Sequence, residues 1–144
     1  MKIEFHLDRI RESLEMIEEA VTKGAATHQR TIGFHTSAAA VDLLHLYLSQ
    51  QKLLTSGSQL LHQWFRSQKQ ARAHLSFDFP EKDRIIQLLY YIEKARDTLC
   101  YGRPCPLEEV REVLAHFNQF RELLRSLGVQ ESPPEPPSDS DDET

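Results

Sequence analysis

Long apolar runs are missing from this 144-residue sequence. No stretch approaches the roughly 18 uninterrupted apolar residues of a membrane-spanning helix. The charged start (Lys2, Glu4, Asp8, Arg9) lacks the apolar core of a signal peptide. A cytoplasmic protein without membrane attachment is therefore expected. Cysteine is scarce. Cys100 and Cys105 stand alone at a Cys-x4-Cys spacing, too few for a four-thiolate zinc site in one chain. The seven histidines show no His-x3-His pair. There is no Gly-rich phosphate loop, no alternating strand pattern and no internal repeat. No cofactor and no metal is expected.

Charge of one sign is missing from the C-terminal end. The segment 131–144, ESPPEPPSDSDDET, has six acids, no Lys or Arg, and no large apolar residue. It cannot bury enough surface to offset its ordering entropy, so 130–144 is predicted to be a disordered acidic tail. The tail also accounts for the net charge of −5. Without its six acids, 16 acids face 17 bases, and the folded part, 1–129, is nearly neutral. Global charge therefore argues neither for nor against nucleic acid.

What the body does have is helical period. Leu7, Ile10, Leu14, Ile17 and Val21 step by three and four, the pattern of one helix face, and Gly24 suits the end of that helix. A second helix is expected over about 31–54. Its stretch AAAVDLLHLYL, Ala38 to Leu48, is apolar almost all round, which suits a central helix or one buried in a subunit interface. Thr55, Gly57 and Ser58 break the pattern, and a shorter piece with Leu60, Leu61, Trp64 and Phe65 follows. Asp78 and Glu81 have the spacing of a capping box before a helix carrying Ile85, Leu88, Leu89, Ile92, Ala95 and Leu99. The last helix should start at Pro106, present Val110, Leu114, Phe117, Leu124 and Leu127, and end at Gly128. The expected fold is all-α, an up-and-down four-helix bundle with one additional short helix.

Two segments resemble the HEPN family of small helical bundles. Phe34 to Leu48, FHTSAAAVDLLHLYL, is similar to the family's second helix. Ile92 to Gly102, IEKARDTLCYG, resembles the family motif of Arg, four to six residues, then His, often followed by Gly. Arg96 falls on the motif arginine and Tyr101 on the histidine. The resemblance implies a homodimer and one of two roles. The first is a nucleotide- or RNA-binding partner of a small nucleotidyltransferase, in a two-gene, toxin–antitoxin-like system. The second is a metal-independent ribonuclease toxin with a shared cleft between protomers.

The motif departs from the nuclease pattern at its chemical centre. Cleavage by an internal 2′-hydroxyl needs a base, an acid and a cation for the phosphate. Arg96 suits the cation, with bidentate bonds to phosphate oxygens. Histidine titrates near neutrality, whereas tyrosine ordinarily stays protonated there. The preferred reading is therefore a binding and dimerisation module without strong catalysis. A ribonuclease with an Arg-x4-Tyr motif and a purely structural interaction protein are the alternatives.

The anion cleft is expected at Arg96, Tyr101 and Arg103. His35, which with Arg30 forms a second Arg-x4-His, could supply the missing imidazole if it converged on that cleft. Asp42 in the most apolar helix needs a partner, either a His or an Arg. His35 and Asp42 lie seven residues apart, about 10.5 Å along a helix, too far for one metal. Arg66, Lys69 and Arg72 beside Trp64 and Phe65 could grip a phosphate backbone, or form a solvated face over a packed Trp.

Overall fold

The computed structural model describes residues 3–54 and 58–132. Within them the chain forms five helices and no strand, a helical bundle. They are α1 (Ile3–Gly24), α2 (Gln29–Gln50), α3 (Gln68–His74), α4 (Lys82–Tyr101) and α5 (Leu107–Ser126). Short 3-10 turns occupy Ala25–Thr27 and His62–Arg66. None of the helices is long and apolar enough to cross a membrane.

The all-round apolar stretch makes α2 the hub. It packs against α1, α4 and α5, and α4 packs against α5. Successive long helices alternate in direction. His6 of α1 meets Asp42 of α2 while Ser13 meets His35. Gly33 at the start of α2 lies on Leu99 at the end of α4, and Tyr47 near the end of α2 donates to the Pro80 carbonyl just before α4. Gln29 ties the start of α2 to Cys105: its Nε2 donates to the Cys105 carbonyl (2.8 Å) and its Oε1 accepts from the Cys105 amide (2.9 Å). Tyr47, Phe65, Phe117 and Phe120 are fully buried between these elements. Each contributes about 2–3 kcal/mol by leaving water.

Glycine is needed where helices end or touch. Gly24 (φ 128°) and Gly128 (φ 101°) close α1 and α5 in backbone regions that other residues rarely adopt. At Gly128 the amides of Gly128 and Val129 cap the Arg125 and Leu124 carbonyls, both at 3.0 Å.

Four expectations need correction. The second helix ends at Gln50, where Lys52 turns into left-handed backbone (φ 59°), so Leu53 and Leu54 lie beyond it. The buried line of α1 is His6, Ile10, Ser13, Ile17 and Ala20, one position round from the apolar stripe. Leu7 and Leu14 are half-buried and Val21 is exposed. The cause is that α1 packs chiefly on α2, where His6 and Ser13 find polar partners. No capping box forms at Asp78 and Glu81. Glu81 has left-handed backbone (φ 62°) after Pro80, α4 starts one residue later, and Asp78 Oδ1 accepts from the neighbouring Phe79 amide. Finally, Glu131 belongs to the fold. Its carboxylate accepts from Arg121 Nε (2.8 Å) and Nη2 (2.7 Å) and from Arg125 (3.2 Å). The tail beyond Ser132 lies outside the described residues.

Candidate functional site

The end of α4 and the start of α2 come together because Gly33 removes a side chain from their crossing. A Cβ there would stand 2.8 Å from Leu99 Cβ and 3.1 Å from Cys100 Sγ. This close approach brings Arg96 to Phe34. The Arg96 guanidinium carbon lies 5.3 Å from the Phe34 ring centroid, a cation–π arrangement. Among the described residues Arg96 has no carboxylate within ion-pair distance, so its N–H donors are not spent on an acid. Phe34 (47% exposed) and Tyr101 (74% exposed) are the open aromatic surfaces of this end. Cys100, between Arg96 and Tyr101 in sequence, donates its thiol proton to the Arg30 carbonyl (3.5 Å). Burial pushes the Cys100 thiol pKa up, while the Arg96 and Arg30 guanidinium groups draw it down. Both cations are therefore within electrostatic reach of it.

Tyr101 is the last residue of α4. Gly102 follows in extended backbone, with its amide bonded to the Thr98 carbonyl at 3.1 Å. A Cβ on Gly102 would come 2.8 Å from that same oxygen, so only glycine lets the chain turn off here. Arg103 follows and is exposed. Arg96 thus rests on Phe34 at this end of α2 and α4, while Tyr101, Arg30 and Arg103 are exposed residues at the same end of these helices. Aromatic faces stack on bases, and guanidinium groups bind phosphate oxygens bidentately.

His35 does not point into this group. Its Nδ1 is 3.0 Å from Ser13 Oγ of α1, and its ring meets the edge of Phe34 at 5.0 Å. Phe34 therefore contacts both His35 and Arg96. Burial lowers the His35 pKa, with Glu12 opposing, so the ring is a neutral wall.

Asp42 lies at a second place, deeper along α2. Its Oδ1 is 2.6 Å from His6 Nδ1, and its Oδ2 lies 3.5 Å from Arg9 Nε. The partner expected for this buried carboxylate is thus both a His and an Arg, each from α1. His45 instead stacks on His6, with centroids 3.9 Å apart. Burial, and then the neighbouring His6 ring, push the His45 pKa down to about 4.

Sequence reasoning missed a third group beside it. Glu93 of α4 is 1% exposed, and one of its oxygens serves two partners. Ser37 Oγ donates to Oε2 at 2.5 Å, and His62 Nδ1 lies 2.6 Å from the same atom. A signal was present: Glu93 follows Ile86 and Leu89 at steps of three and four, on their buried face. The basic stretch 66–72 is a solvated face, with Arg66, Lys69 and Arg72 all exposed. Trp64 stacks on His74 (4.2 Å), while Arg66 pairs with Asp97 and Arg72 with Asp83. Among the described residues no three His, Cys, Asp or Glu side chains converge as a metal site would require. No family model, curated protein or solved structure matches the chain.

Proposed function

We propose that this chain is a nucleotide- or RNA-binding dimerisation module of the HEPN type, and that Phe34, Arg96, Tyr101 and Arg103 hold its ligand. The observation that carries the reading is the Arg96 guanidinium, held over the Phe34 ring with no acid to pair with among the described residues. A cation kept in that state over an open aromatic face fits a phosphate with an adjoining base. Tyr101 serves as a stacking surface and hydrogen-bond donor, which needs no proton abstraction. The same exposed aromatic face would meet a second copy, and a small nucleotidyltransferase is the protein partner that the resemblance implies.

The test is fluorescence anisotropy with a labelled single-stranded oligoribonucleotide. Binding should weaken at least about 10-fold in Arg96→Ala, since bonds to a charged group are worth about 1.5–3 kcal/mol. Tyr101→Ala should cost a similar factor through lost stacking, worth about 1–3 kcal/mol per base. Absence of binding, or binding that Arg96→Ala leaves unchanged, refutes the proposal.

A further inference from the structure

Packing leaves the apolar stripe of α1 facing a groove. Helices α1 and α5 both pack on α2 but barely touch each other, and a groove of about 650 Å³ runs between them. Leu7, Leu14 and Val21 of α1 form one wall, and Leu114 of α5 stands on the other. Leu7, Leu14 and Leu114 are half-buried and Val21 is 47% exposed, so the bundle does not use up this surface. An apolar strip left open on a folded domain marks a place where something docks. The charged residues of the groove are of both signs, Arg11 and Arg121 against Glu15, Glu18 and Glu131. Charge therefore selects neither a polyanion nor a polycation, and apolar contact has to select the occupant.

The chain itself enters this groove, since Glu131 and Ser132 both line it. Glu131 is held there by Arg121, whose guanidinium carbon lies 5.7 Å from the Phe117 ring centroid. Ser132 and Leu7 also line an adjoining pocket of about 390 Å³, so the chain leaves the described fold beside Leu7. The next residues, 133–139, are PPEPPSD. Proline fixes φ, so such a segment favours extended polyproline II backbone before it docks and loses less entropy on docking. In that backbone 133–139 spans about 22 Å. From Leu7 to Val21 the helix rises about 21 Å. The segment is thus as long as the stripe that needs covering. It is also tethered at the groove, at an effective concentration on the order of 1 mM, which favours it over a second copy or a separate partner. We infer that residues 133–139 lie along the α1–α5 groove from Leu7 towards Val21, with the prolines against Leu7, Leu14 and Leu114. The segment cannot build a core alone, and the groove supplies the apolar surface it lacks. Phe34, Arg96, Tyr101 and Arg103 do not line the groove, so this inference is independent of the ligand face.

The test is NMR on the full chain. The Glu135, Ser138 and Asp139 amides should have order parameters near the rigid-backbone value of about 0.85, against less than about 0.6 for a free tail. The proline ring protons should give nuclear Overhauser contacts to the methyl groups of Leu7, Leu14, Val21 and Leu114. Pro133→Gly, with the same change at Pro134, Pro136 and Pro137, alters no residue of any helix. It should drop the Glu135 order parameter below about 0.6 and abolish any remaining contact of the segment with the four methyl-bearing side chains. A mixture of isotope-labelled and unlabelled chains separates contacts within one chain from contacts between two. The inference is overturned if the three amides have free-tail order parameters in the unaltered protein, or if the proline rings contact other surfaces or none. It is also overturned if the contacts run between two chains, or if the glycine variant keeps its order at Glu135.

Discussion

Acidification should weaken this fold through His45. The ring is 8% exposed, and its pKa is pushed down from 6.5 to about 4 by burial and by the His6 ring against it. In the unfolded chain the ring regains its ordinary value. Between those two values the unfolded state binds the proton and the folded state refuses it. Stability is therefore fully present above the ordinary histidine pKa and is lost as pH falls towards the folded value. Between pH 7 and pH 5 this one group should cost about 2 kcal/mol. With a urea dependence of about 2 kcal/mol per molar, that is a midpoint shift of about 1 M. Other groups titrate over the same range, so the informative quantity is a difference. His45→Phe retains a flat ring to stack on His6 and removes the proton site. Urea unfolding of both proteins at pH 7 and pH 5, followed by circular dichroism, should show His45→Phe losing about 2 kcal/mol less than the parent. Equal losses in the two proteins would refute the assignment of His45 as a ring buried in its neutral form.

Three further perturbations address the packing. Gly33→Ala should lower Tm by a few degrees, because overpacking costs about 1–3 kcal/mol while alanine's helix preference returns only about 1 kcal/mol. A rise in Tm would mean that the α2–α4 crossing opens without cost. Glu93→Ala strips Ser37 and His62 of their shared acceptor and should cost about 3–5 kcal/mol in urea unfolding, against little for a surface glutamate. Glu131→Gln should cost about 1 kcal/mol at pH 7. Burial alone would raise the Glu131 pKa, but Arg121 and Arg125 hold it below the usual carboxylate range. Its contribution is thus present above the ordinary carboxylate pKa, and the difference between the two proteins should vanish as pH falls through the lowered value.

The fold was legible wherever a single helix carried its own signal. The all-apolar run of α2 announced a central helix, and Gly24, Gly102 and Gly128 marked where helices stop. What stayed hidden depended on partners far away in sequence. Nothing local shows that α1 turns His6 and Ser13 inward rather than Leu7 and Leu14, because their partners are 36 and 22 residues away. The need of Asp42 for a His or an Arg could be read from burial alone. Its pairing with α1 rather than with the nearby His45 could not. Glu93 and His62 meet only because the His62–Arg66 turn folds back onto α4. At the other end of the chain, Glu131 shares its composition with the acidic segment after it. Only the position of Arg121 and Arg125 on α5 separates it from that segment.

The central claim is that the Arg96 face, rather than any other surface, takes the ligand. The direct measurement is a backbone-amide NMR footprint of the full chain with a short single-stranded oligoribonucleotide at moderate salt. The account predicts saturable shifts clustered at Phe34, Arg96, Tyr101 and Arg103, lost in Arg96→Ala. Shifts centred elsewhere, for instance on α3 or along α5, or no shifts at all, would contradict it.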